Sequence, residues 1–192
     1  MFIQTEDTPN PSTLKFLPGR DVLGEGRYPR EYARGDNVDN APMAGSLFFL
    51  EGVERVFLGA DFISITKSGD VEWKTLKARV LGAIMDHFTQ GFPVVTDDAA
   101  DSVPADEPVY EGEVAEIVDQ IKELIELRVR PAVAQDGGDI VFQRFDARDG
   151  VVYLTMRGAC AGCPSSTMTL KNGIENLLKH YVPEVTAVEA AA

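Results

Sequence analysis

The chain has two cysteines, Cys160 and Cys163, both in the run Arg157-Gly-Ala-Cys-Ala-Gly-Cys-Pro-Ser-Ser166. All thiol chemistry is therefore confined to one short segment. Thiolates are soft ligands suited to zinc and to iron–sulfur clusters, and such centres normally take four protein ligands. A CxxC pair is half of such a site. The histidines are His87 and His180. His180 lies at the far end of the helix expected after the pair, on the order of 24 Å away at a helical rise of about 1.5 Å per residue, and cannot close the site. His87 falls in a separate amphipathic segment, Trp73 to Gln90, and reads as an ordinary partly buried or surface histidine. The missing ligands then come from a second copy of the chain: two CxxC motifs across a twofold axis supply four thiolates in an isologous dimer.

The local sequence suits metal chemistry. Pro164 fits the first turn of a helix, and Ser165, Ser166 and Thr167 can satisfy free backbone donors there. Cys160 and Cys163 are thus expected at a helix N-terminus, where the partial positive charge, helped by Arg157, stabilises thiolates. Gly158 and Gly162 allow the backbone to approach the sulfurs closely. Three chemistries share this layout: a metal cluster, a zinc Cys₄ site between two chains, and a thioredoxin-like redox dithiol. The dithiol reading fits less well, because the proline follows the second cysteine and few residues remain after Tyr181 to build further strands. Two incidental cysteines would seldom fall between a strand and a helix and be flanked by glycines and a proline.

Elements of two small domains must position this loop. The chain has 192 residues, 44% of them hydrophobic, enough for two small cores. No apolar run reaches membrane-span length, and the start has neither a basic leader nor an Arg-rich amphipathic one, so no targeting segment is visible. A pair so closely spaced is no disulfide framework and suits a reducing compartment. The formal net charge of −13 opposes binding to nucleic acid or to an anionic membrane, both of which require clustered Lys and Arg.

The composition shifts once. Residues 93–112 are rich in proline, small residues and acids, and read as a flexible, self-repelling linker. It separates an expected domain at 1–92 from another at 113–192. In the first, Phe2 to Gln4 and Thr13 to Phe16 read as strands on either side of a turn fixed by Pro9 and Pro11. The stretch with Gly24, Gly26 and Gly35 reads as loop, Pro42 to Leu50 as a short helix, and Val53 to Leu58 with Phe62 to Thr66 as a hairpin. Trp73, Leu76, Val80, Ile84 and Phe88 mark a helix that Gly91 and Pro93 end. In the second, Val114, Ile117, Val118, Ile121, Leu124, Ile125 and Val129 mark one face of a long helix ending near Pro131 to Gln135. Asp136-Gly-Gly-Asp139 reads as a hairpin-entry turn with solvated or capping carboxylates. A hairpin follows (Ile140 to Phe145, Val151 to Met156), then the CxxC loop, a helix over Met168 to Tyr181 and an edge strand at Val185 to Val188. The fold class is α+β in both domains. No nucleophile–base pair, phosphate loop or complete catalytic metal site is visible, so no residue is assigned a catalytic role and the chain reads as a non-enzyme.

At this point two stretches become recognisable. Arg130-Pro-Ala-Val-Ala-Gln-Asp-Gly-Gly-Asp139, Gly158-Ala-Cys-Ala-Gly-Cys-Pro-Ser-Ser166 and Thr169-Leu170 resemble the NifU-like C-terminal domain of Nfu iron–sulfur proteins. The segment Thr5 to Arg20, with Leu47-Phe48, Gly52-Val53, Val56-Phe57 and Asp61-Phe62-Ile63, resembles the Nfu N-terminal domain. The resemblance implies a scaffold or carrier in iron–sulfur cluster assembly. Cys160 and Cys163 of two subunits would bind a [4Fe-4S] cluster in a cluster-bridged homodimer. The cluster would come from an upstream assembly scaffold and pass to apo-proteins. The resemblance implies a mitochondrial matrix location for a trimmed eukaryotic form, while the lack of a visible transit peptide favours the expectation of a bacterial cytoplasmic one.

Overall fold

A computed structural model describes residues 2–96, 108–162 and 164–191, with only the backbone described at 164–166. The chain divides into two compact α+β units, Met1–Ser102 and Val103–Ala192.

In the first unit, five strands form one antiparallel sheet in the order β1-β2-β5-β4-β3. They are β1 (Gln4–Asp7), β2 (Thr13–Leu17), β3 (Arg30–Ala33), β4 (Val53–Leu58) and β5 (Ile63–Lys67). Two helices, α1 (Pro42–Phe48) and α2 (Trp73–Thr89), contribute to its core. Period-2 alternation places Leu14, Phe16, Ile63 and Ile65 in this core, with Leu47 from α1 and Leu76, Val80 and Ile84 from α2. The turn before β2 is bound up with itself and with α2. Thr8 Oγ1 donates to the carbonyls of Asn10 and Thr13, and Trp73 Nε1 donates to the Pro11 carbonyl. Gly91 adopts φ +72° just past α2, the left-handed ending expected there.

The stretch expected as loop departs from that reading at β3, which pairs with β4 from Arg30↔Leu58 to Ala33↔Arg55. Its four residues are all half-buried, so it shows none of the apolar alternation that marks a strand. An edge strand of this kind is created by a partner some twenty residues away in sequence and not by its own side chains.

In the second unit, α3 (Glu113–Leu124) passes through a π-helical segment (Ile125–Val129) into α4 (Arg130–Gln135). The expected single helix is thus interrupted. Pro131 lacks an N–H and its ring would press on the carbonyl four residues earlier, and the wider π turn just before it relieves both problems. Val118, Ile121, Ile125, Val129 and Val133 still form one buried stripe. It packs with β6 (Gly138–Asp146), β7 (Val151–Gly158), α5 (Pro164–Tyr181) and β8 (Ala187–Ala190), the sheet order being β6-β7-β8 with β8 parallel to β7. The edge strand starts two residues later than expected, because the Val185 amide is taken by the Val182 carbonyl and the Thr186 amide by Gly150.

Part of the expected linker is built into the units. Val94 and Val95 pack on the first core, and the Met43 amide donates to the Val94 carbonyl. Tyr110 packs on the second core, and its hydroxyl accepts from the Phe145 amide at 2.7 Å. Residues 97–107 lie outside the described residues. No helix among the described residues is long and apolar enough to cross a membrane.

Candidate metal centre

The cysteine loop is positioned by the two strands before it and the helix after it. β6 and β7 pair down to Gly138↔Gly158, so the start of one strand and the end of the other lie side by side at the loop. Gly158 turns the chain with φ +65°. The Ala159 amide then donates to the Gly137 carbonyl and the Ala161 amide to the Gly158 carbonyl, both at 3.1 Å. On the other side, Thr167 Oγ1 in the first turn of α5 donates to the Cys160 carbonyl at 3.0 Å. Thr167 thus anchors the loop, where the sequence had suggested that it would satisfy backbone donors.

Cys160 is 6% exposed and belongs to the core of the second unit. Its sulfur rests against Gly138: a Cβ added there would lie 2.6 Å from Cys160 Sγ, 2.8 Å from the Arg157 carbonyl and 3.1 Å from the Cys160 amide nitrogen. No side chain fits. This explains why the turn carries two glycines. Gly137 provides φ +80°, and Gly138, already in strand conformation, provides closeness.

The electrostatics of Cys160 run opposite to the expectation of a stabilised thiolate. Burial pushes its thiol up to about 12, and the nearby carboxylates of Asp136 and Asp139 push in the same direction. Such a shift favours the neutral thiol at neutral pH, so a metal that bound this sulfur would have to displace its proton. Asp139 also departs from expectation. It is 3% exposed and salt-bridged to Arg130, not a solvated turn carboxylate. The Arg130–Asp139 pair escaped the sequence reading. Its one signal was the doubled glycine directly before Asp139, which calls for a close approach at that point.

Cys163 lies outside the described residues, as do the side chains of Ser165 and Ser166. α5 starts at Pro164, the residue suited to a first helical turn and four residues before the Met168 start expected for this helix. His180 is at the opposite end of α5, its ring against Tyr181. His87 is in the other unit and is buried: Nδ1 is 3.4 Å from Ser46 Oγ, and Nε2 is 3.0 Å from the Pro93 carbonyl, to which it donates. Within the second unit, α5 carries His180 away from the cysteine loop, and the described residues contain no group of three or more His, Cys, Asp or Glu able to hold a metal.

The family described as "NifU-like domain" matches residues 121–189, and "Scaffold protein Nfu/NifU N terminal" matches residues 3–91. The chain is 50% identical over 189 residues to a Drosophila sechellia protein named "NFU1 iron-sulfur cluster scaffold homolog, mitochondrial", covering 98% of this chain and 64% of that protein. It is 48% identical over 189 residues to the Arabidopsis thaliana protein "NifU-like protein 4, mitochondrial", covering 98% of this chain and 65% of that one. The chain therefore spans just under two thirds of the length of these relatives. Among solved structures, a NifU-like protein from Saccharomyces cerevisiae covers 51% of this chain and 87% of its own at 26% identity, with a TM-score of 0.47. With both domains matched, in order and along almost its whole length, the chain belongs to the Nfu family.

Proposed function

We propose that the chain is a scaffold or carrier for iron–sulfur clusters. It binds a [4Fe-4S] cluster as cargo through Cys160 and Cys163 of two subunits, receives it from an upstream assembly scaffold and delivers it to apo-proteins. The observation that carries this reading is the setting of Cys160. Its sulfur sits on a side-chain-free shelf at Gly138, in a loop tied to β6 on one side and α5 on the other, with the second cysteine three residues further on. The names of the relatives, which include iron–sulfur cluster scaffolds, point the same way.

The same setting weighs against a redox dithiol. A disulfide exchanger needs an accessible sulfur that ionises near neutral pH, and Cys160 is buried with its thiol held protonated. The role is non-catalytic, with cluster transfer as its outcome. The two domains, proposed at 1–92 and 113–192, are separable, and the second suffices to carry the cluster. The mitochondrial names of the relatives favour the mitochondrial matrix over a bacterial cytoplasm. Anaerobic incubation with iron, sulfide and thiol, followed by addition of an apo-enzyme that needs a [4Fe-4S] cluster, tests the proposal. The expected result is a brown protein that activates the enzyme. A colourless protein, or one that takes up zinc alone, would refute it.

A further inference from the structure

Beneath the cysteine loop lies an ion pair that the ligand set itself does not require. Arg130, in the first turn of α4, spreads its guanidinium over two carboxylates. Nε and Nη2 donate to the two oxygens of Asp139 at 2.8 and 3.1 Å. Nη1 donates to both oxygens of Glu126 at 2.8 and 2.9 Å. The two carboxylates are not equivalent. Glu126 is 54% exposed, so its contact is a solvated one that contributes little. Asp139 is 5% exposed at its side chain and Arg130 19%, so this contact is a largely buried, two-point bond between a helix and a strand.

Stability alone is a weak reason to bury such a pair, because apolar residues of the same volume usually serve as well or better. Direction is a better reason. A fork of two parallel hydrogen bonds fixes both the distance and the rotation of one element against another, as a single lysine contact or apolar packing does not. Here the fixed element is the start of β6. Asp139 is paired across the sheet with Arg157, and Gly138 with Gly158. The residue before Asp139 is the shelf on which Cys160 Sγ rests, and the residue before that supplies the carbonyl that holds the Ala159 amide. Any shift of Asp139 therefore moves both supports of the cysteine loop. At the other end of the pair, the π-helical segment and Pro131 set where Arg130 stands.

We propose that Arg130 and Asp139 are positioning residues: their forked ion pair, with Asp139 buried, holds the Gly137–Gly138 edge in place and thereby sets the Cys160 loop in the arrangement that receives metal. The role of the loop in metal binding rests on the function proposed above, whereas the clamp itself can be tested without metal.

The test uses the full chain with Arg130→Lys, which keeps the charge and loses the fork, and Asp139→Asn, which keeps the shape but removes the negative charge and one of the two accepting oxygens. Amide hydrogen exchange is followed at Ala159 and Ala161 in the loop and at Val152 and Leu154 in mid-strand. A positioning role predicts exchange about fivefold faster at the loop amides in both variants, with the mid-strand amides changed less than about twofold, since only a local opening is made easier. In protein loaded with iron and sulfide, the same variants should lose iron to a chelator severalfold faster and show an altered visible circular dichroism spectrum. Unchanged loop exchange, or loop and strand amides accelerating together, would overturn the proposal, as would failure of both variants to fold. If the wild-type chain takes up no iron, the function proposed above fails while the exchange result still decides the clamp.

Discussion

The two units bury polar groups for different ends. In the first, the His87 ring lies between Ser46 of α1 and the Pro93 carbonyl, and Lys15, also buried, is 3.3 Å from Glu6 and lies over the Phe62 ring. These contacts join one part of the unit to another. In the second unit the buried polar groups meet at one edge of the core. The Cys160 sulfur rests on Gly138, the next residue is Asp139, and Arg130 grips Asp139 from below. The comparison teaches that burial of a polar side chain does not by itself mark a site. What marks it is a reactive atom set against a bare backbone, with charge close by and directional bonds behind it.

The largest break in this comparison comes from the cysteines. Cys160→Ser and Cys163→Ser should each abolish stable cluster binding, because a dimer then loses two of its four thiolates and a hydroxyl is a far weaker ligand for iron. Iron and sulfide should fall to background while far-ultraviolet circular dichroism stays native. Normal metal content in either variant would remove that residue from the ligand set. Next in size is a pair of glycine substitutions, one in each unit. Gly138→Ala drives a methyl group against Cys160 Sγ and the Arg157 carbonyl and should cost about 1–3 kcal/mol, with a severalfold loss of bound iron. Gly82→Ala on α2 meets nothing within 4 Å and should stabilise the first unit by about 0.5–1 kcal/mol without any effect on iron. Denaturant unfolding and metal analysis of the two variants check both statements.

Much of this contrast was legible in the sequence, and the parts that were not have physical causes. Helical stripes such as Leu76, Val80 and Ile84 announce their buried face locally, and so did the CxxC loop between a strand and a helix. Strand β3 did not, because its pairing with β4 is long-range and its side chains carry no alternation. The break in the helix before Pro131 was hidden because the apolar stripe passes through it unbroken. The suppressed ionisation of Cys160 was hidden for another reason. A helix N-terminus argues for a thiolate, and only the folded arrangement reveals the burial and the two carboxylates that push the other way. Asp139 looked like a turn residue because its partner Arg130 stands on the far side of that turn.

The smallest predicted effect is one of pH and belongs to the first unit. Burial lowers the His87 imidazole below the 6.5 of an exposed histidine, so the unfolded chain takes up a proton at a pH where the folded unit resists it. Stability that is full above 6.5 should therefore decline as pH falls through that value, until His87 protonates in the folded unit as well. Thermal unfolding between neutral and mildly acidic pH should show this decline, and His87→Gln should flatten it. An equally steep decline in His87→Gln would assign it to other groups.

The central claim is that the cysteine loop is half of a site and that a second copy completes it. Sedimentation of the loaded full chain, with iron, sulfide and protein measured across the boundary, tests this most directly. The account predicts that iron and sulfide travel with a dimer at one cluster per two chains, and that a chelator strips the cluster and releases monomers, since a ligand bound only by the pair stabilises the pair. A strictly monomeric species carrying a full cluster per chain would contradict it.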